Sequence, residues 1–165
     1  MQTSQAVAFP GGGTWPECGP YDVFVYGTLK PGGHYWHAYI KGKAIASMPS
    51  MVRGRLYHLP RGYPALSIEA TGNTVADPPL PWVHGFLHRF EALDDVLALD
   101  ALEGYDPTRH PSQNEYQRRF VPVFDSRGEP FATAWTYVMS AGQITECSGR
   151  LVSSGDWPVT NQFIE

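Results

Sequence analysis

Leu93-Asp94-Asp95-Val96-Leu97-Ala98-Leu99-Asp100-Ala101-Leu102-Glu103-Gly104 is the stretch on which the fold class turns. Leu93, Val96, Leu97 and Ala101 recur at helical spacing, and Gly104 stands where a helix stops. Asp94 and Asp95 fall at the helix start, where the macrodipole favours anions. Before this helix, residues 82–90 alternate as a strand does. After it, residues 116–124 and 131–139 read as two strands joined by Asp125-Ser126-Arg127-Gly128, a hairpin signal.

Further upstream, Tyr21-Asp22-Val23-Phe24-Val25-Tyr26 is a β-branched and aromatic run closed by Gly27, and it reads as a buried strand. Residues 30–33 are a loop and residues 34–40 a short helix. Residues 43–48 and 52–59 read as two strands separated by Pro49-Ser50. Arg61-Gly62-Tyr63-Pro64 is a turn leading into Ala65-Leu66. Residues 71–81 form a polar, Pro-rich surface loop, and the tail after Met139 reads as irregular. Strands thus come in groups around one good helix, without strict strand-helix alternation. The expected fold is an α+β domain on a mostly antiparallel or mixed sheet, curled or closed into a small barrel.

The 165 residues fit one domain. Residues 1–20 are rich in Gly and Pro with Glu17 as their only charge, and are expected to be an N-terminal tail. Residues 21–165 are expected to form the single domain. An apolar share of 42% excludes a wholly disordered chain, and 17 glycines with 15 prolines speak against a helical bundle. The net charge of −4, with no basic run, argues against a nucleic-acid partner. No stretch approaches the ~20 apolar residues of a spanning helix. The first basic residue is Lys30, so the N-terminus does not read as a secretory signal, and a cytoplasmic location is expected. Cys18 and Cys147 fit no zinc spacing and read as reduced thiols.

Several chemistries lack their signatures. Gly27 to Gly33 carries neither a G-K-[ST] ending nor a G-x-G-x-x-G pattern. No G-x-S-x-G elbow is present. His84 and His88, four apart on an expected strand, would be about 13 Å from one another, too far to share an ion. No metal is therefore expected.

Asp100 and Glu103 fall in the last helical turn, where the dipole disfavours anions, and they are neighbours on one face. Both effects push at least one of these pKa values upward, which is what a general base needs. Acids at helix ends are also commonly just solvated, and spacing leaves both readings open. Likewise, Tyr26-Gly27-Thr28-Leu29 is either a plain strand end or a set of backbone N–H groups able to hold a carboxylate or oxyanion.

Val25-Tyr26-Gly27-Thr28-Leu29-Lys30-Pro31-Gly32 resembles the first motif of the γ-glutamylcyclotransferase-like superfamily. Tyr63-Pro64-Ala65-Leu66 resembles its second, and Leu99-Asp100-x-Leu102-Glu103-Gly104-Tyr105 its acidic motif. Tyr116-x-Arg118-x-x-Val121-x-Val123 and Ala134-Trp135-x-Tyr137 resemble the strands that follow. The motifs fall in the family's order across residues 21–139. Residues 1–20, the 71–81 loop and the tail lie outside them, though Ser154-Gly155-Asp156-Trp157 is similar to bacterial members. Trp36, His37 and Tyr39 make a bulkier helix than a minimal member has.

The resemblance implies a small mixed barrel with flanking helices. It implies cyclisation of a γ-glutamyl amine or peptide to 5-oxoproline with release of the amine or amino acid. Glu103 is then the catalytic proton acceptor. Tyr26, Gly27, Thr28 and Leu29 bind substrate, with Tyr116 in the pocket. No metal or organic cofactor is called for, and the partner is a small γ-glutamyl molecule rather than nucleic acid or a membrane. Oligomeric state and the leaving amine are left open. The alternative is a small-molecule-binding module that keeps the fold without turnover; an intact Glu103 favours the enzyme.

Overall fold

The computed structural model describes residues 14–69 and 79–158. The expected 71–81 loop therefore falls largely outside the described residues, as do residues 1–13 of the expected tail. Strand β1 (Tyr21–Val25) is followed by a short helix α1 (Trp36–Tyr39), then β2 (Ala46–Arg53), β3 (Arg55–His58) and β4 (Pro64–Ser67). Strand β5 (Trp82–Phe90) leads into helix α2 (Leu93–Leu102). The hairpin of β6 (Gln117–Phe124) and β7 (Pro130–Val138) precedes α3 (Ala141–Glu146) and β8 (Arg150–Leu151).

Five strands close into a barrel in the order β1-β5-β2-β6-β7, and β4-β3-β8 form a second small sheet. The barrel is mixed: β1 runs antiparallel to β5 but parallel to β7, where Val23 pairs with Trp135. This is the α+β barrel expected from the grouping of strands around one helix.

Alternation along the strands makes two cores. Phe24, Val52, Val83, Leu87, Val123 and Ala134 come from all five barrel strands and fill the interior. Tyr21, Val23, Val25 and Phe90 point the other way and meet Val96 and Leu99 of α2. Strand β1 is buried on both faces, which is why it reads as a continuous apolar run rather than an alternating one.

Two expectations are corrected. Pro49-Ser50 does not break a strand: β2 runs through both, with Pro49 in register with Phe86. Proline is tolerated there because β2 is paired on its other flank only at Met51↔Phe124 and otherwise behaves as an edge. The tail after Met139 is not irregular throughout. Ser140 caps α3 by accepting from the Gln143 N–H at 3.1 Å, and β8 pairs with β3. That helix is only six residues long, too short to show a period in sequence.

Trp15, within the segment expected to be a tail, is buried at 7% exposure. Its indole N–H donates to Asp100 Oδ2 at 2.8 Å. The fully buried Arg118 reaches the same oxygen at 2.5 Å, and its guanidinium lies 4.0 Å over the Trp15 ring. Tyr137 donates to Asp100 Oδ1 at 2.7 Å. A buried charge pair persists when its remaining hydrogen-bonding sites are filled, as those of Asp100 are here. No helix among the described residues is long and apolar enough to cross a membrane.

Candidate active site

Strand β1 ends at Val25, and the chain then turns over one mouth of the barrel. Gly27 packs against β4 so tightly that a Cβ there would stand 2.4 Å from Pro64 Cγ. The following turn is tied internally, with the Lys30 N–H on Gly27 O at 3.0 Å and the Tyr35 N–H on Thr28 O at 3.0 Å. The N–H groups of Gly27, Thr28 and Leu29 meet no acceptor among the described residues. Three donors near one another without partners are the makings of an anion cradle.

The turn is also held from outside. His88, fully buried, faces Leu29 O through Nε2 at 3.2 Å and Ser47 Oγ through Nδ1 at 2.7 Å. A carbonyl only accepts, so Nε2 carries the proton and Nδ1 takes the serine hydroxyl. Burial lowers the His88 pKa, keeping the ring neutral in this role. On the far side, Lys30 Nζ binds Asp156 Oδ1 at 3.0 Å and also the Trp157 carbonyl. Trp157 in turn hydrogen-bonds and stacks on His58. The chain's last described residues thus strap the turn.

Glu103 is the C-cap of α2, its N–H bonded to Leu99 O at 3.0 Å. Gly104 follows at φ +64°, a left-handed conformation that reverses the chain and leaves the Glu103 side chain at the helix end. A cavity of about 530 Å³ opens in front of it. Tyr26, Gly27, Thr28, Leu29, Glu103 and Tyr116 all line this one cavity, although 77 positions separate Tyr26 from Glu103.

No hydrogen bond or ion pair holds the Glu103 carboxyl among the described residues. Burial raises its pKa to about 8, and the Glu115 carboxylate adds to the shift. The neighbour differs from the one expected: the charge that adds to burial is that of Glu115 and not of Asp100, whose oxygens are taken by Trp15, Arg118 and Tyr137. Around Glu103 the phenols of Tyr26, Tyr116 and Tyr137 are pushed well above their ordinary pKa, chiefly by burial, and stay protonated. Tyr26 donates to Tyr137 O and Tyr116 to Pro64 O, each at 2.6 Å. They are fixed walls rather than proton carriers.

Glu115, Arg61 and Trp157 also line the cavity and were not singled out from sequence as site residues. Glu115 directly precedes Tyr116, and that adjacency to a pocket tyrosine is the one signal that points to it. Among the described residues, no group of three His, Cys, Asp or Glu side chains is placed to share a metal ion.

A closed mixed barrel whose cavity is lined by a glycine loop and by a glutamate without a hydrogen-bond partner among the described residues defines a class of small cavity-bearing α+β proteins. The sequence matches the family described as gamma-glutamyl cyclotransferase, AIG2-like, over residues 23–159, and the chain belongs to that family. No curated protein matches it. Among solved structures, YkqA from Bacillus subtilis is similar at a TM-score of 0.55 and 22% identity, covering 84% of this chain and 39% of YkqA. An AIG2-like protein from Mus musculus is similar at 0.52 and 19%, covering 73% of this chain and 77% of its own. The uropathogenic Escherichia coli protein c4763 is similar at 0.52 and 13%, covering 84% and 92%. At these identities the likeness is one of fold.

Proposed function

We propose that the protein cyclises a γ-glutamyl amine or peptide to 5-oxoproline and releases the free amine or amino acid. Glu103 is the proton acceptor, and Tyr26, Gly27, Thr28, Leu29 and Tyr116 bind the substrate. The observation that carries this reading is the Glu103 carboxyl itself: without a hydrogen-bond or ion-pair partner among the described residues, lining the cavity, with a pKa raised to about 8. An enzyme does not leave a buried acid uncompensated without cost, and a base that works near neutral pH needs this shift.

The substrate's α-amino nitrogen attacks its own γ-carbonyl carbon. A new C–N bond closes a five-membered ring, and Glu103 takes the proton the nitrogen sheds. The tetrahedral oxyanion is met by the N–H groups of Gly27, Thr28 and Leu29. As the carbonyl reforms, the old C–N bond breaks and Glu103 returns its proton to the departing nitrogen. The attack is intramolecular, so folding the substrate against the cavity wall supplies much of the rate. No oxidant or co-reactant enters the balance.

The test is incubation with a panel of γ-glutamyl dipeptides and γ-glutamylamines, with 5-oxoproline detected by mass spectrometry. Product that requires Glu103 supports the reading. Tight binding of a panel member without product overturns it in favour of the binding module.

A further inference from the structure

The cavity holds a second carboxylate, and its surroundings differ from those of Glu103. The main chain of Glu115 is anchored without help from its side chain. Its N–H donates to Gly104 O at 3.1 Å, and its carbonyl accepts from Gln143 Nε2 at 3.2 Å. The side chain, packed at the Gly104 corner, is half-buried and lines the cavity. One oxygen, Oε2, accepts a hydrogen bond from the Tyr63 hydroxyl, which fixes its direction. A carboxylate offers about four acceptor positions, and one phenol fills one of them. No ion pair engages Glu115 among the described residues. The charged and titratable groups facing it are Tyr63 and Arg61 from the β3–β4 turn, Glu103 from the end of α2, and Tyr116 beside it. Arg61, exposed, is placed against Tyr63 and close enough to Glu115 for their charges to interact, and both it and Glu115 line the cavity.

We propose that Glu115 is a specificity-determining residue of this cavity: its carboxylate, aimed by Tyr63, docks a primary ammonium group of the ligand beside Glu103. The inference deepens the cyclisation reading and rests on it for the class of ligand. It divides two duties between two acids. Glu103 is protonated at neutral pH and offers an arriving cation no charge. Glu115 keeps the cation in place while Glu103 handles the proton. Two ammonium groups qualify by the same chemistry, the α-ammonium of the γ-glutamyl unit and a second amino group on the leaving amine.

The test separates these sources. Calorimetric binding is measured on the Glu103→Gln protein, in which turnover is expected to be slowed by roughly 10²-fold or more, and on Glu103→Gln/Glu115→Gln. Three probes are used: γ-glutamylbutylamide, its desamino counterpart glutaric acid monobutylamide, and the γ-glutamyl amide of 1,4-diaminobutane. A charge-assisted hydrogen bond predicts a preference of roughly tenfold or more for the probe carrying the ammonium that is read. If that group is the α-ammonium, the butylamide binds more tightly than its desamino counterpart, and Glu115→Gln erases the difference. If it is the distal one, the diaminobutane amide outbinds the butylamide, and Glu115→Gln erases that difference instead. A preference that survives Glu115→Gln, or no preference in its presence, overturns the proposal.

Gln keeps the size of the side chain and an acceptor for Tyr63, so the variant retains the wall. n-Butylammonium against n-butanol, followed by NMR at the carboxyl carbons of the unsubstituted protein, covers the case in which no γ-glutamyl probe binds. A Glu115 signal that responds only to the cation supports the ammonium site even if the cyclisation reading fails. A signal that ignores the cation overturns it.

Discussion

Asp100 and Glu103 lie one turn apart at the end of α2, and the fold gives them opposite surroundings. Asp100 turns into the protein, where Trp15, Arg118 and Tyr137 occupy its oxygens. Glu103, at the cap, turns toward the cavity and meets no partner among the described residues. The first acid anchors the helix, and the second is left lining the cavity. Arg118, by satisfying Asp100, also withdraws the neighbouring charge that the sequence spacing alone would have placed beside Glu103.

Glu103→Gln keeps the side chain's volume and removes its basicity. Turnover to 5-oxoproline is expected to fall by roughly 10²-fold or more, the scale of a lost general base. Circular dichroism and the thermal transition are expected to remain those of a folded protein. Activity close to that of the unsubstituted enzyme removes Glu103 from the reaction.

The same substitution has an expected signature in stability. The folded-state pKa of Glu103 is about 8, above the ordinary carboxyl value of the unfolded chain. Between the two, the folded protein holds a proton that the unfolded chain has released. The associated stability is therefore complete below the unfolded pKa and is lost as pH rises toward 8. The melting temperature of Glu103→Gln relative to the parent is expected to climb from pH 5 to pH 8, by roughly 2–4 °C for each kcal/mol recovered. A difference that stays flat with pH contradicts the raised pKa.

The legible parts of this chain were those whose local pattern and tertiary role agree. Residues 82–90 alternate because β5 separates two cores, and the spacing of Leu93 to Leu102 followed by Gly104 defines α2 at both ends. Pro49 misled because a strand paired along one flank can absorb it, a fact of topology rather than of local sequence. Trp15 was hidden for a related reason: its partners Asp100, Arg118 and Trp135 are remote in sequence and meet it only through the fold. In the candidate site, Tyr26 to Leu29, Glu103 and Tyr116 stood out through motif order. Glu115 did not, since its role depends on Tyr63 and Gly104 coming together around it.

Asp100→Ala is expected to cost about 3–5 kcal/mol, because it leaves the fully buried Arg118 without its counter-charge. Trp15→Phe keeps an aromatic ring under Arg118 but loses the indole donor, and is expected to cost nearer 1 kcal/mol. Urea unfolding of both variants checks the order. Equal, small effects would mean that the Asp100 network carries no structural weight.

The pH profile of kcat/KM joins the geometry to the chemistry. In the proposed reaction free Glu103 must be ionised to accept a proton, so the acid limb is expected to rise toward a bend near pH 8. The substrate's α-amine must also be neutral to attack. With an amine pKa of very roughly 8 to 10, a second ionisation follows on the alkaline side. The cavity's phenols are held protonated well above their ordinary range, so Tyr116→Phe is expected to change rate or affinity without moving either bend. Two substrates of different amine pKa, followed from pH 5 to pH 10, assign the limbs. The bend that moves with the substrate belongs to the amine, and the one that stays belongs to Glu103. Glu115→Gln supplies the third comparison: with that negative charge gone, the stationary bend is expected to shift to lower pH. If neither bend follows the substrate's amine pKa, attack by the free amine is not the step that limits the reaction.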